Sequence, residues 1–135
     1  GLCRRSFCFF GGCLFVKILI VGHDAEITAV VGKILRRSGY EITCCADKDG
    51  AAELIEKQNI RLVIADLEAD EKERICFCKT IKNMAKPPKL LFIGNSGEEE
   101  SKILNAGADD WIKKPYKTAV FLARTSALMR RCINE

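Results

Sequence analysis

The chain has 135 residues, 48% of them hydrophobic and 30% charged, values that are typical of one compact globular domain. Its 22 basic and 18 acidic residues give a net charge of +4 and are mixed along the chain. This argues against direct nucleic-acid binding, which needs clustered Lys and Arg with aromatic residues between them. No apolar run reaches the ~18 residues of a membrane helix, so we expect a cytoplasmic protein without membrane contact.

Residues 1–16 are mostly apolar after a basic start, Arg4-Arg5, and imitate a signal peptide. They contain no small-residue cleavage site and run directly into the first predicted strand. We therefore interpret them as an N-terminal extension, either derived from the expression vector or disordered, and we predict one domain over residues 17–135. The chain starts without Met, which we interpret as the sign of a fragment or a processed product.

Eight cysteines raise the question of a metal site or of disulfides. Cys44 and Cys45 are adjacent in a predicted strand and would point to opposite faces. Cys76 and Cys78 lie on opposite sides of a predicted helix. Since no CxxC pair of the zinc-binding type is present, we expect most cysteines to be small buried hydrophobic residues in a reducing compartment.

From residue 17 onward the hydrophobic pattern alternates strand and helix five times. Four short apolar runs have the composition of strands covered on both faces, and the fifth run is weaker. The predicted strands are Lys17–Val21, Tyr40–Ala46, Arg61–Ala65, Lys89–Ile93 and Asp110–Lys113. Repeated β-α units predict a five-stranded, doubly wound parallel sheet with right-handed crossovers, an α/β fold.

Capping residues separate the predicted elements. Gly39 is predicted to end the first helix and Gly107 the fourth. Ser96 and Glu99 have the spacing of a capping box at the start of the fourth helix. In the fifth helix the spacing predicts inward-facing side chains at Val120, Ala123, Ala127 and Leu128.

Charged residues follow several of the predicted strands. In an open parallel sheet, ligands bind at the carboxyl ends of the strands. Asp24 comes shortly after the first strand, Asp66 directly after the third, and Lys114-Pro115 directly after the fifth. A carboxylate and an ammonium group are thus predicted to meet at one edge, although each of these signals is weak by itself.

The segment AGADDWIKKPY, residues 106–116, is more specific. It resembles the fifth-strand motif of receiver domains of two-component response regulators, which is close to AGADDY-hydrophobic-x-KPF; Trp111 replaces the Tyr and Tyr116 the Phe. Residues 17–21 and 62–67 resemble the first and third strands of that family. The resemblance extends from residue 17 to about residue 133, and it implies a flavodoxin-like fold with strand order 2-1-3-4-5.

The resemblance implies roles for four residues. Asp66 would be the phosphoacceptor, which takes a phosphoryl group from a histidine kinase, a phosphotransfer protein or a small acyl phosphate. Mg²⁺, held by Asp66 and by the backbone carbonyl of Glu68, would neutralise the two anions. Lys114 would contact a phosphoryl oxygen, and the peptide bond before Pro115 would be cis.

The resemblance also implies a place in signal transduction. Such a phosphoprotein is not an enzyme, apart from its self-catalysed phosphoryl transfer and hydrolysis. It passes a phosphorelay signal to an output domain or a downstream protein, and members of the family also form homodimers.

The expected metal site departs from the family pattern. The two acidic positions after the first strand hold Gly22 and His23, and a neutral imidazole is a poor ligand for Mg²⁺, so we expect Mg²⁺ binding to be weak or absent. We favour His23 as a surface residue over two alternatives: a ligand of a softer metal, or a protonated substitute for the metal's charge. Asp24 is interpreted as an N-cap first and as a metal ligand second. The Glu68 side chain could restore one oxygen ligand, although a solvated loop residue is the simpler interpretation.

The expected switch also departs from the family pattern. Gly94 stands where the family has a Thr or Ser that binds the phosphoryl group. Ser96 could supply a hydroxyl only if its loop folds back, and we favour its capping role. Trp111 replaces the aromatic residue that couples to that hydroxyl, and it is either buried or exposed at a partner surface.

Two functional hypotheses follow. The first is phosphorelay reception at Asp66. The second is a pseudo-receiver that acts as a protein–protein interaction module independent of phosphorylation. A small-molecule enzyme is disfavoured, because the chain has one histidine and no Gly-rich phosphate loop.

Overall fold

The structure is a computed structural model that describes residues 16–22 and 24–134. Strands and helices alternate along this part of the chain. The elements are β1 (Lys17–Gly22), α1 (Ala25–Arg37), β2 (Glu41–Cys45), α2 (Ala51–Gln58), β3 (Leu62–Asp66), α3 (Glu71–Lys82), β4 (Lys89–Gly94), a 3₁₀ helix (Gly97–Glu99), α4 (Glu100–Asn105), β5 (Asp110–Lys113) and α5 (Thr118–Asn134). No helix within the described ranges is long and apolar enough to cross a membrane.

The five strands form one parallel sheet in the order β2-β1-β3-β4-β5, which confirms the predicted architecture and strand order. The register pairs Gly22 with Asp66 and Gly94 with Lys113. The carboxyl ends of β1, β3, β4 and β5 therefore lie at the same edge of the sheet. β1, β3 and β4 each end one residue later than predicted, and β3 also begins one residue later, so Gly22, Asp66 and Gly94 are strand residues and not loop residues.

Each face of the sheet buries its own hydrophobic cluster, because alternate strand residues point to opposite faces. In β1, Leu19 and Val21 belong to the cluster under α2, α3 and α4. Ile18 and Ile20 belong to the cluster under α1 and α5. Helices on both faces explain why the central strands are almost continuously apolar.

Two glycines end helices as predicted. Gly39 has a φ angle of 95° and Gly107 one of 120°, in the left-handed region that other residues rarely adopt. After α1, the backbone N–H of Tyr40 donates to the carbonyl oxygen of Leu35 at 3.1 Å, which is typical of a helix that ends at a left-handed residue. These two turns lead the chain back towards β2 and β5.

The buried face of α5 differs from the prediction. Of the four predicted inward positions only Leu128 is buried, and Val120 is 40% exposed. The ring of Phe121, which stacks on Tyr116 at a centroid distance of 5.3 Å, packs against the sheet in place of Val120. The larger side chain therefore decides which stripe is buried, and that stripe consists of Phe121, Thr125, Leu128, Met129 and Cys132.

The cysteines of the described ranges are thiols in both buried and exposed positions. Cys78 and Cys132 are buried, as expected for small hydrophobic residues. Cys44 and Cys76 are exposed, so the expectation was wrong for them; Cys44 lies on β2, which is an edge strand with only one neighbour. Three further cysteines lie outside the described residues: Cys3, Cys8 and Cys13.

Candidate functional site

A carboxylate and an ammonium group meet at the carboxyl edge of the sheet. Asp66 is the last residue of β3, and Lys114 directly follows β5, two strands away. The Nζ atom of Lys114 lies 2.8 Å from Oδ1 of Asp66, and the two side chains are 27% and 11% exposed. The backbone N–H of Lys114 donates to the carbonyl oxygen of Gly94 at 2.7 Å, and the Lys114–Pro115 peptide bond is cis. The pair is therefore positioned by the backbone and remains accessible from solvent.

Gly22 packs directly against Asp66. A Cβ atom at position 22 would lie 2.8 Å from the carbonyl oxygen of Asp66 and 3.2 Å from its Cβ. Real Cβ atoms do not approach a backbone oxygen this closely, so a side chain here would require β1 and β3 to move apart. An acidic residue therefore cannot be added at this position without displacing β3.

Two other candidate metal ligands, Asp24 and Glu68, are exposed. Asp24 occupies the N-cap position of α1, where its carbonyl oxygen accepts the backbone N–H of Thr28 at 2.9 Å. The side chain of Glu68 is exposed, and His23 lies outside the described residues. Within residues 16–22 and 24–134, no group of three or more His, Cys, Asp or Glu side chains could hold a metal ion. Asp66 pairs with Lys114, so Mg²⁺, which proteins usually bind through one or two carboxylates together with several waters, would have to share the Asp66 carboxylate with this lysine.

Tyr116 lies at the same edge as Asp66 and Lys114. From the sequence it was identified only as the residue that replaces the Phe of the fifth-strand motif. Its ring stacks on Phe121 at an interplanar angle of 28°. Burial raises the pKa of the Tyr116 hydroxyl, and the negative charges of Asp66 and Asp24 raise it further. Tyr116 is therefore a neutral phenol within the field of both carboxylates.

The space beside Gly94 is filled by Trp111. The indole ring is buried, and its N–H donates to Oε2 of Glu99 at 3.1 Å. A Cβ atom at Gly94 would lie 2.7 Å from Cζ2 of Trp111 and would also collide with the Glu99 carboxylate. Position 94 therefore has no room for a hydroxyl-bearing side chain in this arrangement.

Ser96 caps the 3₁₀ helix. Its hydroxyl oxygen accepts the backbone N–H of Glu98 at 3.2 Å, and its side chain is exposed. Only the serine half of the predicted capping box forms. The carboxylate of Glu99 points inward, where it accepts the indole N–H of Trp111, and does not bond to the backbone of Ser96. Ser96 thus has the capping role that the sequence favoured.

Glu99 forms a buried ion pair with Arg74, a residue that the sequence reasoning missed. The guanidinium donates to both carboxylate oxygens, at 2.8 and 2.7 Å, and the residues are each 7% exposed. Burial by itself would raise the pKa of Glu99, but hydrogen bonds from Arg74 and Trp111 and the charge of Arg74 hold that pKa below its usual value. Arg74 could have been noticed because it shares a helical face with buried Phe77 and Cys78, three and four residues on.

Comparison with known proteins identifies the family and the fold of the chain. The family model of the response regulator receiver domain matches residues 18–126. A two-component response regulator from Clostridium difficile is 23% identical, with a TM-score of 0.76 over 86% of this chain and 97% of that chain. The chemotaxis response regulator CheY4 of Vibrio cholerae is 21% identical, with a TM-score of 0.75 over 85% and 99%.

A third structure is the beryllofluoride-activated receiver domain of Klebsiella pneumoniae RstA. It is 25% identical to this chain, with a TM-score of 0.70 over 84% of this chain and 98% of that one. The family match covers most of the chain, and all three structures share its fold. The chain belongs to the receiver domains of two-component response regulators.

Proposed function

We propose that this receiver domain accepts a phosphoryl group on Asp66 from a histidine kinase or a phosphotransfer protein. One observation carries the proposal: the Asp66 carboxylate lies at the carboxyl edge of the sheet, partly exposed, with the Lys114 ammonium 2.8 Å away. An accessible carboxylate beside a fixed cation is what phosphoryl transfer requires, because its transition state places negative charge on the phosphoryl oxygens.

The proposed transfer is a single displacement at phosphorus. An Oδ atom of Asp66 attacks the phosphorus of a phosphohistidine, and the new O–P bond forms as the N–P bond breaks. The electron pair of the broken bond returns to the imidazole nitrogen of the donor, which takes up a proton. Lys114 exchanges its contact with the carboxylate for one with a phosphoryl oxygen, which partly neutralises the acyl phosphate.

The pseudo-receiver is the second candidate function, and two observations favour it. Gly22 packs against Asp66 where the family has an acidic residue, and Trp111 fills the space beside Gly94 where the family has a hydroxyl. A domain of this kind would bind a partner protein or an output domain without phosphoryl chemistry, as a monomer or a homodimer.

Covalent labelling distinguishes the two functions. The protein is incubated with acetyl phosphate and Mg²⁺ or Mn²⁺, trapped with borohydride and mapped by mass spectrometry. We expect an adduct on Asp66, and no adduct in the Asp66→Ala variant. The matched control is Asp49→Ala, which removes a carboxylate that is 88% exposed and far from Lys114 in sequence; it should be labelled like the wild type. Labelling at another residue would refute the assignment, and a complete lack of labelling would favour the pseudo-receiver.

A further inference from the structure

Arg74, Glu99 and Trp111 form a buried network that connects five parts of the domain. Arg74 lies on α3, Glu99 in the 3₁₀ helix and Trp111 on β5. The guanidinium also donates to two carbonyl oxygens. One belongs to Leu67, which directly follows Asp66. The other belongs to Ile93, which directly precedes Gly94, and lies 2.9 Å from Nη2 of Arg74. The network thus joins the loop behind the phosphoacceptor to the end of β4 and to β5.

Every member of the network has its polar atoms paired. The Nε, Nη1 and Nη2 atoms of Arg74 all donate, to Glu99 and to the two carbonyl oxygens. Glu99 accepts from Arg74 and from the indole N–H of Trp111. The guanidinium also lies over the ring of Phe92, 5.4 Å from its centroid. Moving one member would leave a buried charge without part of its pairing, which is strongly unfavourable in a protein interior.

The network also fills the volume beside Gly94. Trp111 and Glu99 already fill the volume beside Gly94, and Trp111 is only 5% exposed. A phosphoryl group shifts a conformational equilibrium only through an interaction that differs between the two states. Here position 94 carries no hydroxyl, and the volume beside it is already filled by Trp111 and Glu99.

We propose that the Arg74–Glu99–Trp111 network holds the α4–β5 face of this domain in one conformation, with or without a phosphoryl group on Asp66. A partner that recognises this face binds it constitutively. A phosphoryl group on Asp66 is then recognised by a partner at the carboxyl edge itself or is transferred to another protein. Trp111 does not transmit its presence.

The first test needs no ligand, because Trp111 is the only tryptophan in the chain. Relaxation-dispersion NMR of the indole ¹⁵N detects a minor conformation that exchanges on the microsecond-to-millisecond timescale. We expect no exchange in the wild type and clear exchange in Glu99→Gln. We also expect a higher acrylamide quenching constant in Glu99→Gln, because the indole N–H loses its charged partner and the buried ring becomes accessible. The matched control is Glu100→Gln, which makes the same change at the next, exposed position and should behave like the wild type.

Exchange of the wild-type indole between two states would overturn the proposal. So would a folded Glu99→Gln protein with wild-type dispersion and quenching. If Glu99→Gln does not fold, the Arg74→Met/Glu99→Met double variant decides, because it removes both buried charges while keeping similar side-chain volume. The same mobility of Trp111 is expected there, and a fixed indole in the folded double variant would refute the network's role.

The second test adds beryllofluoride and Mg²⁺, with occupancy followed by ¹⁹F NMR. We expect the Trp111 indole resonance to stay unchanged in the occupied wild type and to shift in the occupied Glu99→Gln variant. A shift in the wild type that Asp66→Asn abolishes would overturn the proposal. Failure of the analogue to bind would count against phosphoacceptance by Asp66, and the network would then be judged by the dispersion measurement alone.

Discussion

Two glycines lie on the strands that flank β3, the strand of Asp66, and at both of them the neighbouring atoms leave no room for a side chain. Gly22 ends β1 and Gly94 ends β4, on either side of β3. At Gly22 the obstacle is the backbone of Asp66, which moves only with its strand; at Gly94 it is Trp111 and Glu99. The absence of an acidic residue and of a hydroxyl at these positions is thus part of how the edge is packed.

Replacing Gly94 should therefore destabilise the domain without restoring a switch. We expect Gly94→Ala to lower the free energy of unfolding by ~1–3 kcal/mol, the usual cost of overpacking a well-filled interior. The control is Gly97→Ala, where an added Cβ meets nothing within 4 Å and stability should hardly change. Denaturant unfolding of both variants measures the difference. Equal stabilities would show that Trp111 shifts easily to make room for the added methyl group and that the packing around Gly94 is loose.

At the level of elements, the acidic residues of the fifth-strand motif have structural roles. The Asp109 carboxylate accepts hydrogen bonds from the Lys82 ammonium and from the backbone N–H of Leu90, both at 2.8 Å. These bonds connect α3 and β4 to the start of β5. Asp110 pairs with Arg124 of α5 at 3.0 Å. Together with the ion pair between Arg74 and Glu99, these contacts attach β5 to elements on both faces of the sheet.

The Glu99 carboxylate should make stability depend on acid pH. Its folded-state pKa is lowered, so its contribution is complete above the unfolded-state pKa of ~4.3 and is lost as pH falls through the folded-state value. At pH 7 we expect Glu99→Gln to cost ~3–5 kcal/mol, because it leaves the Arg74 guanidinium without its charged partner in the interior. The difference from the wild type should shrink below about pH 4.

Urea unfolding across the pH range checks this prediction, with Glu100→Gln as the control at an exposed position. A cost of Glu99→Gln that stays constant down to pH 3 would mean that the carboxylate is not the group that titrates. A similar pH dependence in Glu100→Gln would point to general surface charge instead of the buried pair.

At the level of the whole molecule, stability should be unevenly distributed over the sheet. The central strands β1, β3 and β4 are buried over most of their length, whereas every residue of β2 is at least partly exposed. β2 is also an edge strand, bonded only to β1. Asp66 therefore lies at the end of one of the most buried strands.

Native-state hydrogen exchange should reflect this distribution. We expect amides of β1, β3 and β4 to exchange only through global unfolding, and those of β2 to exchange faster, through local opening, because few buried contacts hold that strand. The measurement is amide exchange by NMR at increasing urea concentration. Protection of β2 equal to that of β1 would show that α1 and α2 stabilise the edge more than its exposure indicates.

The sequence alone determined the alternation of strands and helices, the ends of α1 and α4 at Gly39 and Gly107, and the edge at which Asp66 and Lys114 lie. These features depend on local periodicity, on backbone conformations that only glycine adopts readily, and on the rule that parallel strands end together. Only the tertiary structure decided the buried face of α5, the close packing at Gly22 and Gly94, and the pairing of Arg74 with Glu99 and Trp111. Residues far apart in the chain meet there, and which of them meet depends on how the helices pack against the sheet, which local patterns do not contain.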